Sequence, residues 1–276
     1  MTPRPQQAER LEKRLARIAR EEGLDQERLR RWISFLALCG VLERAVQEGE
    51  LDTYYLKGGV ALELRFALRA RATKDLDLGL AGSRANRMEL FRRALDLGFD
   101  DFTFRMKPQT RDMEQADTVR LSVAVQYRTR SWQTVEVDLG AAGAREIDLV
   151  EPRISGLTQM GLRVTSPVRC LSLSEQVAQK LHACTGPHSN GRARDILDIL
   201  LMDMAGCLDE RKTAAAAVLI FDERATHKFP PAFVMPPEWR PEVEWLAGEL
   251  GFPQTSPPEI EAMFQRLLGR LATQVN

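Results

Sequence analysis

Leu56-Lys57-Gly58-Gly59-Val60-Ala61-Leu62-Glu63-Leu64-Arg65-Phe66, followed after a basic turn by Thr73-Lys74-Asp75-Leu76-Asp77-Leu78, is the stretch that decides how this chain folds. Its first half puts a glycine pair at the start of a helical pattern, with Ala61, Leu62, Leu64, Phe66 and Leu68 mostly on one face. Glycines at a helix start let backbone N–H groups come close to a phosphate, at the positive end of the helix dipole. The second half is strand-like. Residues two apart on a strand share a face, so Asp75 and Asp77 point the same way with Leu76 and Leu78 packed behind them, and Thr73 falls in the same alternation. Two carboxylates side by side repel, and a divalent cation relieves the repulsion; Mg²⁺ takes one or two carboxylates together with substrate phosphate oxygens. Alone, a glycine pair reads as a plain turn and Asp-x-Asp as a solvated strand end. In this order and spacing they describe a phosphoryl or nucleotidyl transfer site.

Working outward from that stretch, residues 5–22 read as a charged helix with Leu11, Leu15, Ile18 and Ala19 on one stripe. A second helix starts at Asp25, an N-cap residue, and runs through Trp32, Phe35, Leu36, Leu42 and Val46, apolar enough to lie under a sheet. The Leu51–Leu56 run leads into the glycines. Beyond the aspartates, Asn86–Leu97 is an amphipathic helix closed by Gly98. Phe99–Lys107 and Val119–Tyr127 alternate as strands, and Thr134–Leu139 answers them after a turn at Arg128–Ser131. Glu136 and Asp138 share a face of that last strand. A third acid on an adjacent strand is what a second metal ion requires. Asp138, at the end of the strand before Gly140, is the better candidate, with an ordinary exposed strand face as the other reading.

The segment from Lys57-Gly58-Gly59 to Asp75-Leu76-Asp77 resembles the nucleotidyltransferase superfold, and more closely the AbiEii/MenT type of toxin nucleotidyltransferase. The chain downstream extends the likeness. After a break at Thr165-Ser166-Pro167 the pattern turns helical: Ser172 with Glu175 makes a capping box, and the helix it opens carries Gln176, Lys180 and His182. A loop at Gly186–Gly191 precedes a further helix with Asp195 and Asp198 near its head. AbiEii-like proteins have a serine, then a lysine, then an aspartate heading a later helix; the matching positions are Ser172 or Ser174, Lys180 and Asp195, with Asp198 as the fallback. A lysine can neutralise triphosphate charge, and an aspartate can orient an attacking hydroxyl or take its proton. Without the upstream motif the same residues would read as a solvated lysine and a helix N-terminal acid.

The expected fold is α/β (α+β): a nucleotidyltransferase-type mixed sheet with flanking helices over residues 1–165, then a helical C-terminal domain over 166–276, with the active site in the cleft between them. The resemblance implies Mg²⁺-dependent transfer of a nucleotidyl group from a nucleoside triphosphate to an RNA acceptor such as the 3′ end of tRNA. It also implies growth arrest as the outcome and a separately encoded antitoxin as partner. The assigned residues are Asp75, Asp77 and Asp138 for metal; Lys57, Gly58, Gly59, Thr73, Ser172 and Ser174 for the nucleotide; and Lys180 and Asp195 beside the two aspartates for catalysis. Two other functions compete: kinase-like phosphoryl transfer at the same site, and a non-catalytic binding module that keeps the fold.

Bulk properties narrow these choices. The 276 residues carry 39 basic and 39 acidic side chains, so no global field draws in nucleic acid and any such contact must be local. Lys57, Arg65, Arg69, Arg71 and Lys74 cluster around the first motif, and Arg192 and Arg194 precede Asp195. Cys39, Cys170, Cys184 and Cys207 have no pairing pattern and read as buried free thiols of a reducing compartment, not a zinc site or disulfide framework. No apolar run reaches the ~18 residues a membrane span needs, and a cytoplasmic location is expected. His182 and His188 flank the lysine loop as packed or surface histidines, with a general base as the alternative. Trp239 and Trp245 read as core.

Overall fold

The computed structural model describes residues 8–107, 118–153, 158–163 and 167–275. Two helices come first: α1 (Ala8–Glu22), whose stripe Leu11, Leu15, Ile18 and Ala19 is buried, and α2 (Gln26–Gln47). The Asp25 side chain accepts from the Arg28 N–H at 2.6 Å, capping α2 as its position predicts. β1 (Tyr54–Lys57) then runs directly into α3 (Gly58–Phe66), and the chain returns as β2 (Asp75–Leu80). Next come α4 (Arg84–Asp96), with its Ser83 cap, β3 (Phe102–Met106), β4 (Val119–Tyr127), β5 (Arg130–Ala141), β6 (Ile147–Val150) and β7 (Val168–Leu171).

Among the described residues these strands form one mixed sheet of seven, in the order β3-β4-β5-β2-β1-β7-β6. β2 lies at its centre, antiparallel to β1 and parallel to β5. Alternation decides the faces. Leu76 and Leu78, Val135, Val137 and Leu139, and Val119, Leu121, Val123 and Val125 are buried on the side that α2 helps to cover, while the intervening positions, Ala124 apart, are polar. The expected mixed α/β architecture is the one observed. Differences are local. Thr134–Leu139 lengthens at both ends, and the Phe99–Lys107 strand shortens to β3 because Phe99 turns back to pair with Phe102. The expectation of helix directly after Pro167 is corrected, since β7 comes first and pairs with β1 in parallel. The Thr165-Ser166 part of the expected boundary lies outside the described residues.

The chain divides into two compact units: Met1–Ala67 with Ala72–Cys170, and Leu68–Arg71 with Leu171–Asn276. The second unit is built from α5 (Leu173–Thr185), α6 (Ala193–Met204), α7 (Glu210–Arg224), α8 (Arg240–Glu249) and α9 (Pro257–Thr273). Its core is α6, whose Ile196, Leu197, Ile199 and Leu200 are fully buried among the others. Trp239 is buried as expected, whereas Trp245 is 62 % exposed, because short α8 buries only the stripe Val243, Leu246 and Ala247. Leu68 is likewise exposed, since α3 ends at Phe66. Three cysteines are buried free thiols; Cys207 departs from the expectation and is exposed.

Candidate active site

Two groups of polar side chains stand out, one in each unit. In the first, β2 carries Asp75 and Asp77 on its polar face, in register with Glu136 and Asp138 of β5 across the parallel pairing. Glu136 is drawn to Ser122, whose hydroxyl donates to its carboxylate at 2.8 Å. Asp138 instead meets the guanidinium of Arg120, its antiparallel partner on β4, through Nε at 2.7 Å and Nη2 at 2.6 Å. The same Nη2 donates to Asp75 Oδ2 at 3.1 Å. Asp75 and Asp138 thus converge on one cation and raise the Arg120 pKa, most of all through the hydrogen bonds Arg120 donates to Asp138.

Asp77 is held differently. Gly58 opens α3 with φ +64°, and a Cβ placed there would sit 1.8 Å from Asp77 Oδ2. Only glycine leaves room for that carboxylate, which lies where the helix presents its positive end. Gly59 is needed for a second close approach: its Cβ would come 2.7 Å from Thr73 Oγ1. Thr73 precedes the strand and is buried, with its backbone N–H donating to Glu63 at 2.5 Å. Glu63 also accepts from Trp32 and faces Arg28; burial pushes its carboxyl pKa up, and Arg28 opposes that rise. Lys57, paired with Asp77 across β1 and β2, extends its Nζ toward Gly140.

In the second unit Lys180 of α5 donates to Asp195 at 2.5 Å and to Asp198 at 2.8 Å, both on α6. Burial disfavours the ammonium, but Asp198 and then Asp195 outweigh it, and its pKa rises above the ordinary lysine value. Asp198 is buried and also receives Arg71 through Nε at 3.2 Å and 3.3 Å and Nη2 at 3.2 Å. Asp195 has the looser setting, with Arg192 at 3.4 Å from its Oδ2. Ser172 caps α5 by accepting from the Glu175 N–H at 3.3 Å, and buried Ser174 accepts from Thr213 at 3.2 Å. The structure therefore groups Asp75, Asp77 and Asp138 with Lys57, Gly58, Gly59 and Thr73, and groups Lys180 with Asp195; the two serines work within the helical packing. Of the basic residues around the first motif, Arg65 is paired with Asp148 at 2.7 Å and Arg71 with Asp198.

Sequence reasoning missed Arg120. Its role depends on the register between β4 and β5, and its one signal was a basic residue alternating with the apolar positions of β4. No three His, Cys, Asp or Glu side chains form a preassembled metal-ligand cluster among the described residues. The donor set still suits Mg²⁺: carboxylates that already share a cation, beside a glycine-opened helix end, leave the remaining coordination to phosphate oxygens and water.

A mixed sheet whose central strand bears Asp-x-Asp, fed by a strand–Gly-Gly–helix turn, is the framework of a nucleotidyltransferase. The chain belongs to the AbiEii family, the nucleotidyl transferase AbiEii toxins of type IV toxin–antitoxin systems, which its sequence matches over residues 40–272. Among solved structures it is similar to MenT4, a nucleotidyltransferase toxin from Mycobacterium tuberculosis H37Rv, with 17% identity, a TM-score of 0.61, and 94% of this chain and 89% of that one covered. A weaker likeness joins it to the antibiotic-resistance factor ANT(2″)-Ia, at 18% identity, TM-score 0.41, and coverage of 70% and 94%. Among curated proteins none matches. Among the described residues, no helix is long and apolar enough to cross a membrane.

Proposed function

We propose that this chain transfers a nucleotidyl group from a nucleoside triphosphate to an RNA acceptor, the 3′ end of tRNA, in an Mg²⁺-dependent reaction. The observation that carries the proposal is the convergence of Asp75 of β2 and Asp138 of β5 on one guanidinium, with Asp77 of β2 against the glycine-opened helix. Asp75, Asp77 and Asp138 would hold Mg²⁺, which when bound supplies charge neutralisation at the phosphates. Lys57, Gly58, Gly59 and Thr73 form the nucleotide side of the site, and Ser172 and Ser174 support α5, which carries Lys180. In the transfer the acceptor hydroxyl oxygen bonds to the α-phosphorus, the bond to the bridging oxygen breaks, and pyrophosphate leaves. Lys180 counters the triphosphate charge, and Asp195 positions the hydroxyl or takes its proton. Family membership supports a cognate antitoxin as partner, and the substrates point to action in the cytoplasm.

The test incubates the protein and its Asp75→Ala variant with Mg²⁺, total RNA and each α-³²P-labelled nucleoside triphosphate. Label on a tRNA-sized band with wild type alone is expected and names the nucleotide. Label on protein replaces the acceptor in the proposal. Transfer from γ-labelled but not α-labelled nucleotide overturns nucleotidyl transfer in favour of phosphoryl transfer.

A further inference from the structure

We propose that Arg120 is the built-in counter-cation of this site, competing with a divalent ion for Asp75 and Asp138 and thereby setting how readily the ion binds; the inference rests on the metal assignment above. Three observations place Arg120 there. Val119 and Leu121 on either side of it are buried, so the strand fixes Arg120 on the polar face. Register puts it directly opposite Asp138, and its fork takes both oxygens of Asp138 while a shared nitrogen reaches Asp75. Its side chain is 52 % exposed. A guanidinium in that position lowers the repulsion between carboxylates that the sequence alone would leave facing each other. Because about half of the Arg120 side chain is in water, solvent can take up its donors when it releases the carboxylates, and the hold can yield to a divalent ion. Arg120 is also a better competitor than lysine would be, because one planar group satisfies two acids at once.

Competition has a readable consequence that does not depend on turnover. Mn²⁺ alone is titrated into wild type, Arg120→Gln, Arg120→Lys, Asp75→Asn and the Arg120→Gln/Asp75→Asn double variant, with bound ion followed by electron paramagnetic resonance. Arg120→Gln is expected to bind Mn²⁺ roughly five- to tenfold more tightly than wild type, from loss of a nearby like charge and a competing donor. Arg120→Lys should fall between them, and the double variant should lose the gain. If Arg120→Gln binds no more tightly than wild type while Asp75→Asn weakens binding, the counter-cation role is overturned and the metal assignment stands. If none of the proteins binds Mn²⁺, or Asp75→Asn changes nothing, the metal assignment falls and the inference with it.

Discussion

At the scale of single residues, Gly58 and the two acids that share Lys180 are the positions to test. Gly58 cannot be substituted without moving Asp77: a methyl group there meets Oδ2, and the positive φ is strained for any side chain. Gly58→Ala is expected to cost about 1–3 kcal/mol of stability in urea unfolding, from backbone strain plus the displaced carboxylate. Gly251→Ala serves as a control, since it has a similar φ with open space around it and carries the strain without the collision. Asp195 and Asp198 share Lys180 but differ in setting. Asp198→Ala removes the buried carboxylate that Lys180 and Arg71 share, so it should destabilise by about 3–5 kcal/mol, as removal of one partner from a buried pair does. Asp195→Asn keeps shape and a hydrogen-bond acceptor for Lys180. It is expected to unfold within about 1.5 kcal/mol of wild type and yet to lose nucleotidyl transfer. A fully active Asp195→Asn enzyme would remove Asp195 from the proposed mechanism. The raised Lys180 pKa means that the ammonium's own contribution is present at neutral pH and is lost as pH rises through that raised value.

At the scale of elements, α5, α7 and the turn after α7 hold a directed chain of hydrogen bonds. Arg224, always a donor, approaches His182 Nδ1 at 3.3 Å, so that nitrogen accepts and Nε2–H donates to Thr226 at 2.9 Å. The Thr226 hydroxyl then donates to His227 Nδ1 at 3.0 Å, His227 Nε2–H donates to Thr185 at 2.9 Å, and Thr185 ends the chain on the Leu181 carbonyl at 2.7 Å. Both imidazoles are thereby fixed as neutral, with every ring nitrogen committed, which leaves no lone pair for general-base work. Burial, then Arg224 and His227, lower the His182 pKa to about 4, and burial lowers that of His227. Below the ordinary value near 6.5 the unfolded chain takes protons that the folded one refuses, so stability falls as pH drops toward about 4. His182→Gln, whose amide can accept from Arg224 and donate to Thr226, should flatten the decline of Tm between those pH values relative to wild type. An unchanged slope would exclude His182 as its source.

The same elements show what could be read from the chain in advance. β2, β4, α2 and α5 were legible because each carries its own period or cap: Leu76 and Leu78, the Val119–Val125 alternation, Asp25, Ser172. β7, four residues long, is too short to show a period, and its strand state is fixed by pairing with β1. α7 has alanines through its middle and no strong stripe. Asp75 and Asp77 could be singled out locally. Arg120 could not, because its partners lie on other strands and the register that joins them is a property of the assembled sheet.

At the scale of the whole molecule, equal numbers of acidic and basic residues would make the proposed RNA binding a local matter. Much of the basic charge near the candidate site is already committed: Arg65 to Asp148, Arg71 to Asp198, Arg120 to Asp75 and Asp138, Arg192 to Asp195 and Arg194 to Glu242. Lys57, Arg69 and Lys74 remain as the candidates for phosphate contacts from the first motif. Each neutralised phosphate on single-stranded nucleic acid contributes about −0.7 to the slope of log K against log salt, so about three contacts give a slope near −2. The expected measurement is a shallow salt dependence of RNA affinity, followed by fluorescence anisotropy from about 50 to 200 mM salt, with Lys74→Gln making it shallower by somewhat less than one unit. A slope steeper than about −5 would require many more contacts than these residues supply. The acceptor would then have to be held by a basic surface elsewhere on the chain, and the local picture of recognition would be wrong even if the transfer chemistry were right.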